Sequence, residues 1–235
     1  MATTTSLQNP VSFPPPTGWR DETLADLVAR LGDIPLERIR TVPPPGTAVE
    51  KDVLEAKQRI GRICELVDGV LVEKTMGTYE SVLAGIVIRM LGSFVDERNL
   101  GLVTAPDGML KIQPQLVRVP DVAFLSWNRL PPEGRPQDAI WSLAPDLAVE
   151  VLSEGNTPGE MRRKLDEYFQ SGTRLVWYID PKTRTARVFT SPESACEIDA
   201  QGVLDGGEVL PGFRLPLAEV FARADRKRPE PGQPS

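Results

Sequence analysis

APDLAVEVLSEGNT, residues Ala144 to Thr157, is an apolar run of β-strand character with a carboxylate, Glu150, in its middle. Side chains alternate along a strand, so Asp146, Ala148, Glu150 and Leu152 share one face while Leu147, Val149 and Val151 share the other. Upstream, VRVPDVAFL repeats the pattern, with Asp121 in phase with Val119, Ala123 and Leu125. If the two strands are neighbours, their carboxylates approach to about 5–8 Å on one face, where like charges repel unless a cation lies between them. The competing reading gives each acid a loop hydrogen bond or an arginine partner. Two acids at matching phase favour a shared metal ion, because Asp and Glu are almost never buried unpaired.

The chain contains no histidine. That removes Ser-His-Asp and Cys-His catalysis and every histidine-ligated metal site. No GxSxG, Ser-x-x-Lys, GxGxxG or GxxxxGK occurs either, so serine nucleophile elbows, dinucleotide folds and P-loops lack support. Oxygen-only ligands select Mg²⁺ or Mn²⁺ over zinc.

Working outward from Glu150, NTPGEMRRKLDEYFQSG predicts a helix by its own punctuation. Thr157 is the N-cap, Pro158 the first helical residue, Glu160 the close of a Thr-x-x-Glu capping box, and Gly172 the stop. Met161, Leu165, Tyr168 and Phe169 form its packed stripe, with Lys164 on one flank and Arg162 on the other. Either cation could reach the strand ends, and either could be a snorkelling side chain. RLVWYID then predicts a buried strand, and DPKTRTARVFT a hairpin return.

Toward the N-terminus, ICELVDGVLVEK reads as two strands around Asp68-Gly69, a strong hairpin signal. TYESVLAGIVIRMLGSFVDERN carries apolar residues at helical spacing, and LVTAPDGMLKI is strand-like. VEKDVLEAKQRIGR predicts a helix, TVPPPGTA a linker, DETLADLVARLG a short helix ending at Gly32, and residues 1–20 a disordered leader. The expected organisation is an N-terminal leader, short helix and Pro-rich linker over 1–50, a compact domain over 51–223 and a polar tail over 224–235. Its class is α/β (mixed α+β), a central mixed sheet flanked by helices.

The 235 residues are 40% hydrophobic and 26% charged, enough for one sizeable core. No apolar run approaches the ~18 residues of a membrane span and no signal-peptide order is present, so a soluble, cytoplasmic protein is expected. Cys64 and Cys196 suggest neither a disulfide framework nor a zinc site. With a net charge of −6 and a pI near 5.0, nucleic acid would need a local basic strip or a metal ion. Arg162, Arg163 and Lys164, with Arg118 and Arg129, are the candidate strip.

Taken together, ELVDG, RVPDVAF, PDLAVEVLSEGNT, KLDEYFQSGTRLVWYIDP and LPGFRLPLAEVF resemble the Uma2-like restriction endonuclease family (DUF820) of the PD-(D/E)XK nuclease superfamily, from about Cys64 to Phe221. The resemblance implies a restriction-endonuclease-like core with an extra β-hairpin and a helical N-terminal extension. It implies Asp121 as the motif aspartate and Glu150 as the second acid. The superfamily's lysine two residues after that acid is here Leu152, and the family's substitute from the next helix corresponds to Lys164. A further acid on the first core helix corresponds to Glu80, with Glu65 of ELVDG as its rival; a solvated first-turn glutamate is the other account of Glu80. The expected activity is Mg²⁺-dependent endonucleolytic hydrolysis of DNA, with a homodimer left open. The alternatives are an inactive nuclease-fold interaction protein and a metal-dependent phosphoesterase of another substrate.

Overall fold

The structure, a computed structural model, describes residues 22–228. The expected leader over 1–20 and the last residues of the tail lie outside the described residues. The strand carrying Glu150 forms where its alternation places it: β8 (Leu147–Val151) is buried throughout. It lies inside a six-stranded sheet with β3 (Gly101–Thr104), β6 (Val122–Ser126), β9 (Leu175–Asp180), β10 (Thr185–Ser191) and β11 (Ser194–Ile198), in the order β11-β10-β9-β8-β6-β3. β6 runs antiparallel to β8 with Val122 opposite Val149 and Ala123 opposite Ala148, whereas β8 and β9 are parallel. A parallel pair needs a crossover, and helix α4 (Pro158–Gln170) supplies it.

A second sheet has the order β2-β1-β5-β4-β7, built from β1 (Cys64–Val67), β2 (Val70–Glu73), β4 (Met109–Gln113), β5 (Leu116–Arg118) and β7 (Ile140–Trp141). β1 and β2 are the expected hairpin, with Asp68 at φ +50° and Gly69 at φ +75°. Two successive left-handed residues are what a two-residue type I′ turn requires. LVTAPDGMLKI divides at this level: Pro106-Asp107-Gly108 turns the chain, the Gly108 N–H donates to Ala105 O at 2.9 Å, and β3 and β4 enter different sheets.

The two faces of the six-stranded sheet are covered differently. On one, α3 (Thr78–Glu97) and α5 (Leu217–Ala224) bury Leu83, Val87, Leu91 and Phe221 against Val149, Trp177 and Phe124, joined by Leu204 and Leu215 from β12 (Val203–Asp205) and β13 (Arg214–Pro216). α3 is long and apolar enough to cross a membrane by length and composition, and its apolar stripe is accounted for by this packing. On the other face, Met161, Leu165 and Tyr168 of α4 pack with Ala123, Ala148 and Val176 and with Val67, Val72 and Leu110 of the second sheet. α2 (Glu50–Ile60) covers the outer side of that sheet through Val53, against Leu66 and Val117. Burying each such large side chain contributes roughly 1.5–3 kcal/mol.

Residues 22–49 lie against this domain. In α1 (Leu24–Arg30) the Thr23 hydroxyl caps Asp26 N and the Asp26 carboxylate caps Thr23 N. Leu27, Leu31 and Ile34 then join the core beneath α4. Gly32, at φ +90°, passes so close to α4 that a Cβ there would stand 2.3 Å from Glu160 N. The capping box expected at Thr157 forms by half: its hydroxyl accepts from Glu160 N at 3.1 Å, but the Glu160 carboxylate turns away to Arg38 at 2.7 Å. A buried guanidinium offers that carboxylate two charge-assisted bonds where the cap offers one amide.

Candidate active site

Glu65 from β1, Glu150 from β8 and Asp121, which the sequence suggests in a strand but which stands one residue before β6, reach one region on the face that α4 covers. Extending the Val122–Val149 register by one residue sets Asp121 opposite Glu150, on the face that α4 covers. Asp121 is held by its own backbone, whose N–H donates to Val149 O at 3.0 Å, and its Oδ2 accepts from Val151 N at 2.7 Å. Glu65 points inward in phase with Val67, while its neighbour Leu66 faces α2. All three carboxyl groups are buried.

Cations stand between them. Lys164 Nζ lies 3.2 Å from Glu65 Oε1 and 3.4 Å from Glu150 Oε1, and the Tyr168 hydroxyl donates to the same Glu150 oxygen at 2.7 Å. The two α4 residues are four apart and therefore share a face. Lys74 Nζ lies 2.7 Å from Asp121 Oδ1 and donates to Val119 O. Arg118 bridges Glu65 Oε2, at 2.7 Å, to Glu167, which also accepts from Arg163 Nε at 2.7 Å.

The two glutamates on Lys164 are driven in opposite directions. Burial alone would push Glu65 up, but Lys164, Arg118 and Lys74 outweigh it and hold its carboxyl well below the usual range. Burial raises Glu150, with Asp121 and Glu65 adding repulsion that Lys164 and Lys74 do not cancel. Burial would also lower Lys164, yet Glu150 and Glu65 keep its ammonium charged well beyond neutrality.

Among the described residues no three Asp, Glu, Cys or His groups stand together as an open set of metal ligands. The positions between the acids belong to the lysines. The donor chemistry nevertheless fits a hard divalent ion: the nearby ligand atoms are carboxylate oxygens, and buried Asp121 Oδ1 makes no directed hydrogen bond despite its close ammonium. Asp121 and Glu150 are the residues that could hold such an ion, with Glu65 beside them.

Of the two glutamates weighed for a third acidic position, Glu65 meets the others. Glu80 lies on α3, whose stripe packs on the opposite face of the six-stranded sheet; it lines a cleft, and no hydrogen bond or ion pair joins it to the buried acids. The basic strip anticipated around Arg162 does not form. Arg163 is engaged by Asp68 and Glu167, Lys164 and Arg118 are buried on acids, and Arg129 binds Asp146, which leaves only Arg162 in the open, paired with Asp166. Neighbouring acids neutralise what looked like free charge in one dimension.

The sequence singles out neither Lys74 nor a polar role for Tyr168, which it marks only as part of the packed stripe of α4. The signal for Lys74 was its phase, since Val70, Val72 and Lys74 alternate onto the inward face. A cleft of about 1360 Å³ opens beside the acids, bounded by Lys74, Met161, Leu165 and Tyr178, with Arg62, Arg162, Lys182 and Arg187 as its other cations. Glu73, Glu80, Glu154 and Asp180 also line it.

A family model, Uma2, described as "Putative restriction endonuclease", matches residues 52–218. The chain belongs to the Uma2 family. Its structure is also similar to the crystal structure of "a putative nuclease belonging to DUF820" from Anabaena variabilis ATCC 29413, with a TM-score of 0.63 and 18% identity over 70% of this chain and 92% of that one. At that identity the likeness speaks for the fold, which is nuclease-like. No curated protein matches this chain. Uma2 membership supports a nuclease, and restriction-endonuclease-like enzymes generally use divalent metals.

Proposed function

We propose that this Uma2 member is a divalent-metal-dependent endonuclease that hydrolyses DNA phosphodiester bonds. The observation that carries the reading is Lys164 set between Glu65 and Glu150, with Asp121 opposite Glu150 on the same buried face and its partner Lys74 bordering a large cleft. Asp121 and Glu150 would hold Mg²⁺ or Mn²⁺, and Glu65 is the acid best placed to assist them. When bound, such an ion supplies charge neutralisation at the phosphate and acidifies a water. Lys164 orients the attacking water or balances negative charge developing at phosphorus. Glu65 and Tyr168 position it: Glu65 holds the ammonium from one side, and Tyr168 fixes the Glu150 oxygen it faces. DNA as substrate is supported by the family and by the cations along the cleft, which would meet backbone phosphates.

One observation favours the inactive interaction protein instead: every buried acid already has a cationic partner. Supercoiled plasmid incubated with the full chain decides between them. Nicking or linearisation in Mg²⁺ or Mn²⁺, abolished by chelator and by Glu150→Gln, is the expected result. Intact plasmid with either ion, together with no metal binding by calorimetry, would overturn the proposal.

A further inference from the structure

The acids that would hold a divalent ion already have resident cations, and those cations differ in how they are held. Lys164 is 3% exposed at its side chain and lies against Glu65 and Glu150; Arg118 is equally enclosed and joins Glu65 to Glu167. Lys74 makes one ion pair, with Asp121, and donates to Val119 O. Its side chain is 7% exposed, it follows the last residue of β2, and it borders the cleft. The Asp121 oxygen it approaches at 2.7 Å is the one without a directed hydrogen bond, so the contact is held by charge.

A divalent ion entering this neutralised set adds positive charge to a buried place, which is strongly unfavourable unless a resident cation leaves. Displacing Lys164 would strip two acids at once. Displacing Lys74 breaks a single ion pair, the one with Asp121, which is the residue the ion itself would take, and open space lies next to it.

We infer that Lys74 is a displaceable internal counter-ion: its ammonium fills the cation position on Asp121 in the metal-free protein, yields it to the divalent ion, and moves into the adjoining cleft to meet a substrate phosphate. The inference rests on the metal-dependent reading of the site. Lys74 thereby becomes a positioning residue that couples metal entry to the electrostatics of the cleft, and with Lys164 and Arg118 it neutralises the buried acids when no metal is bound.

The test is Mn²⁺ calorimetry on the full chain at pH 8, where protons compete least for the carboxylates, comparing wild type, Lys74→Met and Asp121→Asn. The expected result is weak binding by wild type, binding about tenfold or more tighter by Lys74→Met because the adjacent like charge is gone, and loss in Asp121→Asn. A merely structural lysine would not give a gain in affinity on removal. Binding by wild type with equal or weaker binding by Lys74→Met would overturn the inference and leave the metal site standing; no Mn²⁺ binding by any form would overturn the metal site itself. Should Lys74→Met fail to fold, Lys74→Gln carries the same measurement while keeping a donor for Val119 O. In Ca²⁺, the salt dependence of DNA affinity should flatten in the variant by about one phosphate contact; an unchanged slope would overturn the step into the cleft.

Discussion

The Tyr168 hydroxyl donates at 2.7 Å to Glu150 Oε1, the same oxygen that Lys164 Nζ faces at 3.4 Å. A neutral donor and an ammonium thus converge on a carboxylate whose burial disfavours ionisation. Tyr168→Phe deletes the donor and keeps the ring, which is fully buried. Urea unfolding should show a loss of about 1–3 kcal/mol, the ordinary effect of leaving a buried acceptor short of a partner. Unchanged stability would mean that a water replaces the hydroxyl without loss.

Lys164→Met keeps most of the apolar stem and removes the charge. If the nuclease reading holds, Mg²⁺-dependent plasmid cleavage should fall by about 10² to 10³, typical for one electrostatic group at a reacting centre. Far-ultraviolet circular dichroism checks that the fold persists. Full cleavage would show that another cation acts, and Lys74 or Arg162 would be examined next.

Stability should depend on acid pH with a slope that single variants can dissect. Glu65 has its folded pKa depressed, so its contribution is present above the ordinary carboxylate value near 4.3 and is lost as pH falls toward its folded value. Glu150 has the opposite sign: its folded pKa is raised, so its contribution is present below the ordinary value and lost as pH rises through the folded one. Urea midpoints of Glu65→Gln measured from about pH 5 down to pH 2 should therefore fall less steeply than those of wild type. Glu150→Gln should gain relative stability toward neutrality. Parallel profiles for all three proteins would refute the assigned directions.

Arg38 ties the N-terminal segment to the site's flank. Its guanidinium binds both Glu160 oxygens, at 2.7 and 2.8 Å, and donates to Gly155 O and Glu73 O at 2.7 and 2.9 Å. Arg38→Met leaves Glu160 as a buried charge with fewer partners and should destabilise by about 3–5 kcal/mol. The Arg38→Met, Glu160→Gln double variant should recover part of that loss in a double-mutant cycle. Strict additivity of the two losses would show that the pair is not coupled.

How much of this was legible beforehand follows from the range of each interaction. Alternation along two short strands placed Asp121 and Glu150 on one face, because strand phase is a local property fixed by backbone geometry. The same was true of the hairpin at Asp68-Gly69 and of the start of α4 at Thr157-Pro158, where turn and cap chemistry act within four residues. The helical stripe put Met161, Leu165 and Tyr168 against the sheet, since burial follows a 3.6-residue period. Periodicity alone does not separate Lys164 from Arg162, and the choice of Lys164 rests on the family resemblance.

Pairings between distant segments were decided by the tertiary structure. Glu65, rather than Glu80, stands with the other acids because the second sheet and α4 pack on the same face of the six-stranded sheet while α3 packs on the other. Lys74 had the right phase in β2, but its ion pair with Asp121 needs the second sheet to close over the first. The basic run Arg162-Arg163-Lys164 seemed free for phosphate in the sequence, yet Asp68, Glu167, Glu65 and Glu150, brought in from the β1–β2 turn, β1, β8 and one turn of the same helix, occupy two of its three charges. The sequence by itself determined which faces each element buries; only the folded chain determined which charges meet on them, because Coulomb partners are chosen by distance in space and not along the chain.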